Sequence, residues 1–272
     1  FSKEGELLRK EEIPTRKDEG GSLILPDISE YIKGVLADMN MTTEDVAGIG
    51  MGLPGACLED GTVNKCINLG WGVFNAANAL SELTGIPVKI GNDANMAALG
   101  EFWVGGGSEY NSMVMVTIGT GVGGGVIIDG KPLYGFNGAA GEIGHLPLVE
   151  GETESCNCGK KGCLEQVASA TGIVRTANRM LAESDMPSSL RSVPYISAKV
   201  IFDEAKGGDA LAIQVTEYVC RYLGKGLACA AGMVDPEVFV IGGEFLPQGN
   251  ILSILLISII RNVCSMRADR LR

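Results

Sequence analysis

The chain's single histidine, His145, is followed closely by the run Cys156-Asn157-Cys158-Gly159-Lys160-Lys161-Gly162-Cys163. Three thiols and one imidazole supply the four donors of a tetrahedral zinc shell, and the glycines let the backbone double back between them. A lone histidine is usually a core or surface residue, and a cysteine triplet alone proves little; their conjunction favours a metal. Four protein ligands (His145, Cys156, Cys158 and Cys163) close the shell, so the ion is expected to hold structure rather than activate water. It would position Glu142, three residues before the histidine, and Glu165, two residues after the last cysteine, in one pocket.

The rest of the chain reads as a packed globular protein: 272 residues, 46% hydrophobic and 20% charged, with 39 glycines that imply many tight turns. A net charge of −11 repels a phosphate backbone, which disfavours nucleic acid as a partner. It leaves room for a compact anion such as ATP, because backbone amides bind phosphate locally. The longest uncharged apolar stretch, Ile251 to Ile260, is too short for the roughly 20 residues of a spanning helix and reads as a buried helix or strand. No apolar signal segment opens the chain. Eight cysteines without a secretory signal suit a reducing cytoplasm better than a disulfide framework.

Apolar periodicity sets an α/β rhythm. Gly5 to Ile13 reads as part of a strand pair. Helical spacing over Asp27 to Asn40 leads to a strand at Val46 to Met51 and the turn Leu53-Pro54-Gly55. A helix over Asn75 to Thr84 precedes a strand at Pro87 to Gly91, and an Ala-rich helix follows from Asp93 to about Val104. Met113 to Ile118 and Gly125 to Asp129 read as a hairpin around Gly119 to Gly124. After the loop-rich 135–162, a long helix over Ala210 to Val234 leads to a strand at Val238 to Ile241. The best boundary or hinge is Gly105-Gly106-Gly107-Ser108.

Asn92-Asp93 falls at a strand-to-helix junction. Both residue types are preferred helix caps, and taken alone the pair reads as a cap; the functional reading is that a carboxylate there, facing a cleft, accepts a proton from a substrate hydroxyl. The Gly119 to Gly125 run offers backbone amides with few side chains in the way, as a triphosphate requires, with the Thr120 hydroxyl as a further donor. An ordinary hairpin turn would also explain it. Gly242-Gly243 after the last strand is a weaker signal of the same kind.

Gly141-Glu142-Ile143-Gly144-His145 and the cysteine run through Glu165 resemble the signature of the ROK (repressor, open reading frame, kinase) family. GNDAN at Gly91 to Asn95, TIGTGVGGG at Thr117 to Gly125 and ASATGIVR at Ala168 to Arg175 are most similar to its ATP-dependent bacterial glucokinases. The resemblance runs from about Val46 to Gly243. It implies an α/β fold of two RNase H-like (actin/hexokinase-like) lobes with a cleft between them, an N-terminal lobe over 1–107 and a C-terminal lobe with the zinc loop over 108–272. The family's opening strand with its Asp-x-Gly-Gly-Thr phosphate loop is not found before Phe1, and the end after Gly243 is atypical.

By the same resemblance Asp93 matches the base that deprotonates the sugar 6-hydroxyl, and Asn92, Glu142, His145 and Glu165 match residues that hold the ring hydroxyls, with Asn68 beside them. Gly119, Thr120, Gly121, Gly123, Gly242 and Gly243 are expected at the nucleotide, with ATP, magnesium and structural zinc as cofactors. The expected activity is phosphorylation of glucose in the cytoplasm by a homodimer. The alternatives are a kinase for N-acetylmannosamine or fructose, or a sugar-binding regulator without kinase activity.

Overall fold

The computed structural model describes residues 1–243. The apolar run Ile251 to Ile260 and the atypical end lie outside the described residues.

After a single turn, α1 (Asp18–Gly21), helix α2 (Ile24–Asp38) leads into strand β1 (Ile49–Leu53). Three short strands follow, β2 (Ala56–Cys57), β3 (Thr62–Lys65) and β4 (Phe74–Asn75), then α3 (Ala76–Thr84), β5 (Val88–Asn92) and α4 (Asp93–Val104). The chain continues through β6 (Met113–Ile118), β7 (Val122–Ile128) and β8 (Lys131–Pro132). A long loop then gives way to α5 (Glu165–Ala168), α6 (Ala170–Glu183), α7 (Ala198–Lys206), α8 (Ala210–Val234) and β9 (Val238–Gly242).

β1 and β5 pair in parallel, with Leu53 opposite Asn92, so both strands end at the same edge. β2, β3 and β4 form an antiparallel meander. Leu53, Val63, Trp71, Leu80 and Ile90 are buried together with Ile24 and Leu25 of α2 in one apolar core. The second sheet has the order β8-β7-β6-β9, with β6 and β9 parallel. Its central strand is buried on both faces, and the period of two sorts its side chains. Val114, Val116 and Ile118 join a core with Leu164, Ile173, Leu211, Leu223 and Leu227, while Met113 and Met115 pack with Ala98 of α4.

The glycines of β7 account for how closely α4 lies on this sheet. A Cβ at Gly125 would sit 2.5 Å from the Ala98 Cβ, and one at Gly123 would sit 2.9 Å from the Ala94 Cβ. Only glycine against alanine permits that approach, so Gly123 and Gly125 belong to a helix–strand contact. This corrects the expected hairpin: the turn is only Gly119 to Gly121, and β7 begins at Val122.

A second correction concerns Gly5 to Ile13, which form no strand and carry mostly exposed side chains. Charges at Glu6, Arg9, Lys10, Glu11 and Glu12 fall on both phases of the alternation, so neither face is apolar enough to cover a sheet. Polar contacts to α2 tether this segment instead: Arg9 pairs with Asp38 at 3.3 Å, and Glu11 accepts the Tyr31 hydroxyl at 2.5 Å. The expected hinge is also tied down. The Gly105 and Gly107 amides donate to the Glu101 carbonyl at 3.0 Å each, and the Gly106 amide donates to Glu101 Oε2 at 2.9 Å.

Candidate functional site

The carboxyl ends of β1 and β5 open onto one edge, where open α/β sheets bind ligands. Asn92 closes β5 and caps α4: its Oδ1 accepts the Ala94 and Asn95 amides at 2.9 and 3.3 Å, and its Nδ2 donates to the Gly55 carbonyl at 3.3 Å. Capping therefore falls to Asn92, and Asp93 is the first helical residue. Asp93 is exposed, and its Oδ1 accepts the Ala94 amide at 2.9 Å. Its other oxygen has no protein donor among the described residues.

Across from it, the loop after β8 returns as a short turn, Ile143–His145, that ends in His145 and is preceded directly by Glu142. Beyond it, the cysteine segment folds back on the chain. Bridges pair Pro147 with Cys163 and Ser155 with Lys161, the Cys156 amide donates to the Lys160 carbonyl at 2.7 Å, and the Gly159 amide donates to the Cys156 carbonyl at 2.8 Å. The donor atoms of His145, Cys156, Cys158 and Cys163 converge within 4.8 Å of one another. Cys158 Sγ lies 3.5 Å from Cys163 Sγ, and Cys156 Sγ lies 3.7 Å from His145 Nδ1.

Burial and the neighbouring thiols push the Cys163 thiol up to about 12, and burial raises Cys156 as well. Cys158 goes the other way: burial works upward on it, but the Lys160 amide and the two neighbouring thiols hold it below its ordinary value. A divalent cation would favour the ionised form of all three. Three thiols and an imidazole at this spacing fit zinc. With Nδ1 turned to the sulfurs, His145 Nε2 faces Glu142 Oε2 at 3.8 Å, so one imidazole spans the metal cluster and the acid beside it.

Glu165 opens α5. Its Oε2 accepts the Val122 amide at 3.0 Å, and its Oε1 lies 3.7 Å from Cys156 Sγ. The turn at Gly119 to Gly121 is folded on itself, with the Gly119 amide donating to the Gly121 carbonyl at 3.0 Å. A Cβ at Gly121 would lie 2.4 Å from Glu165 Oε2, so the carboxylate sits hard against the turn.

These parts line one cavity of about 590 Å³. Asn68, Asn92, Asp93, Glu142, His145 and Glu165 face it together with Gly119, Thr120, Gly121, Gly123 and Gly243. Gly242 does not reach it: it is the last residue of β9, paired with Thr117, and a Cβ there would meet Met115. Gly243 adopts φ +138°, and a Cβ there would be 2.0 Å from the Ile118 carbonyl oxygen. Cys156, Cys158 and Cys163 lie behind the wall rather than in it. Sequence reasoning missed Pro54, Gly55, Ala97 and Thr117, which also line the cavity. The Pro54-Gly55 turn at a strand end was a usable signal once β1 and β5 were known to be parallel neighbours.

The ROK family pattern matches residues 1–265. This chain belongs to the ROK family. It is 41% identical over 252 residues to a glucokinase of Halalkalibacterium halodurans, a match covering 91% of this chain and 76% of the relative. The crystal structure of a ROK hexokinase from Thermus thermophilus matches with a TM-score of 0.76 and 30% identity, over 96% of this chain and 83% of that one. A ROK family glucokinase from Streptomyces griseus, crystallised with glucose and AMPPNP, matches with a TM-score of 0.68 and 30% identity, over 96% and 82% of the two chains. The fold is that of ROK sugar kinases, α/β and of the actin/hexokinase type. No helix among the described residues of this ROK chain is long and apolar enough to cross a membrane.

Proposed function

We propose that this ROK-family protein transfers the γ-phosphoryl group of ATP to the 6-hydroxyl of glucose. The observation that carries the reading is the single cavity holding an exposed carboxylate, Asp93, opposite Glu142, His145 and Glu165, with a glycine turn at one end. A hexose presents several hydroxyls, and carboxylates and amides satisfy them by charge-assisted bonds that an apolar pocket could not supply. The identity to the Halalkalibacterium glucokinase favours glucose over N-acetylmannosamine or fructose.

In the mechanism, Asn68, Asn92, Glu142, His145 and Glu165 hold the ring hydroxyls. Asp93 orients the 6-hydroxyl and takes its proton as the phosphoryl group arrives in line. Because the transition state is loose, the proton leaves late, and alignment matters more than basicity. The free amides of Thr120 and Gly121, with Gly123 and Gly243 beside them, hold the phosphates of ATP, which enters as its magnesium salt. Zinc would be held by His145, Cys156, Cys158 and Cys163 and would supply structural order, and closure around the bound sugar excludes water. A homodimer in the cytoplasm, where ATP is at hand and thiols stay reduced, completes the reading.

The test is a panel of hexoses in a coupled ADP-release assay. Turnover of glucose well above that of N-acetylmannosamine and fructose supports the reading. Brisk turnover of another hexose beside none of glucose overturns it.

A further inference from the structure

The turn at Gly119 to Gly121 has three carbonyl oxygens, and all three are occupied from within the protein. The Gly121 carbonyl accepts the Gly119 amide at 3.0 Å. The Gly119 carbonyl accepts the Ala170 amide at 2.8 Å, and the Thr120 carbonyl accepts the Thr171 hydroxyl at 3.2 Å. Ala170 and Thr171 are the first two residues of α6. The amides of Thr120 and Gly121, by contrast, have no protein acceptor among the described residues.

A peptide plane carries its N–H and its C=O on opposite sides. Holding the carbonyls down toward α6 therefore turns the free amides the other way, and the same turn borders the cavity. An anion is bound by N–H groups and repelled by C=O groups, so this sorting decides whether the turn attracts or rejects a phosphate. The sorting device is itself well ordered. Ser169 is buried and caps α6 by accepting the Gly172 amide at 3.1 Å, and its hydroxyl lies 3.0 Å from the Thr171 hydroxyl. A chain of bonds thus runs from Gly172 through Ser169 and Thr171 to the Thr120 carbonyl, each polarising the next.

We propose that Ala170 and Thr171 are positioning residues for nucleotide binding: by occupying the Gly119 and Thr120 carbonyls they keep the turn's amides presented to the phosphates of ATP. The proposal rests on the assignment of this turn to the nucleotide. Neither residue lines the cavity itself.

Two substitutions test it. Ala170→Pro removes the amide that holds Gly119. Proline is well tolerated at the first helical position, and Ser169 already has the extended backbone, φ −74° and ψ 163°, that a residue before proline adopts. Thr171→Val removes the hydroxyl at an exposed position while keeping the shape, and Thr171→Ser restores the hydroxyl. Calorimetric affinities for AMPPNP and for glucose are measured on each folded protein.

The expected result is a loss of AMPPNP affinity of about tenfold in Ala170→Pro and several-fold in Thr171→Val. Thr171→Ser should recover it, and glucose affinity should stay within about twofold throughout. AMPPNP affinity unchanged in Thr171→Val overturns the proposal, as does a parallel loss of glucose affinity, which would mark a merely structural role. If Ala170→Pro fails to fold, the Val and Ser pair decides alone. Failure of the unsubstituted protein to bind AMPPNP would instead overturn the assignment of the turn.

Discussion

Glu165 touches Val122 with one oxygen and approaches Cys156 with the other, at 3.0 and 3.7 Å. A single carboxylate thus joins the cysteine cluster to the strand that begins where the glycine turn ends, and disturbing the cluster should be felt in the pocket.

Asp93→Asn keeps the shape of the side chain and removes the proton acceptor. The expected outcome is a fall in kcat of about 100- to 10,000-fold in the ADP-release assay, with glucose affinity within a few-fold by calorimetry. Near-normal turnover would leave Asp93 with no role beyond the first turn of α4.

Cys158→Ser removes one donor from the metal cluster, at its exposed corner. Zinc content by elemental analysis should drop from one equivalent per chain, and glucose affinity should weaken with it, by about ten- to a hundredfold, because ordered neighbours depend on the ion. Full glucose affinity in zinc-free protein would separate the two.

Gly125→Ala places a methyl group 2.5 Å from the Ala98 Cβ and 2.8 Å from the Ala94 carbonyl oxygen. Backbone cannot yield as a side chain can, so α4 must shift. A stability loss of about 1–3 kcal/mol by denaturant titration is expected, together with reduced kcat as Asp93 moves with the helix. Gly34→Ala, at an exposed position of α2 where a Cβ would meet nothing within 4 Å, should leave kcat unchanged and serve as the control.

Asp209 caps α8, accepting the Ala212 amide at 2.8 Å, and also accepts the Ser189 amide at 2.7 Å. Partial burial works upward on its carboxyl, but these bonds outweigh it and hold the group below its ordinary 3.8. A lowered folded value means the contribution is complete above pH 3.8 and fades as pH falls through the lower folded value. Asp209→Ala should therefore cost about 1 kcal/mol at neutral pH, and the gap between the two proteins should narrow only in strong acid. A gap that is constant down to pH 2 would contradict this.

Much of the site was legible because its chemistry is local. His145 and the three cysteines read as a candidate metal cluster by type and spacing, and their donor atoms do converge; Asn92-Asp93 and the glycine turn announce themselves at strand ends. Helices with a clean apolar stripe, such as Ala210 to Val234, were equally readable. The glycines of β7 were not, because a glycine kept for packing under Ala94 and Ala98 looks in sequence like one kept for a turn. Gly242 was over-read for the same reason. Ala170 was invisible, since its contribution is a backbone amide that no side chain advertises.

Because α4 rests on the glycines of β7 without intervening side chains, Asp93 at the head of the helix and the 119–121 turn at the head of the strand ride on one slab. Any opening or shutting of the molecule must carry them together. Proton acceptor and phosphate cradle would then hold a fixed gauge through every turnover, leaving the sugar as the part whose alignment is adjusted.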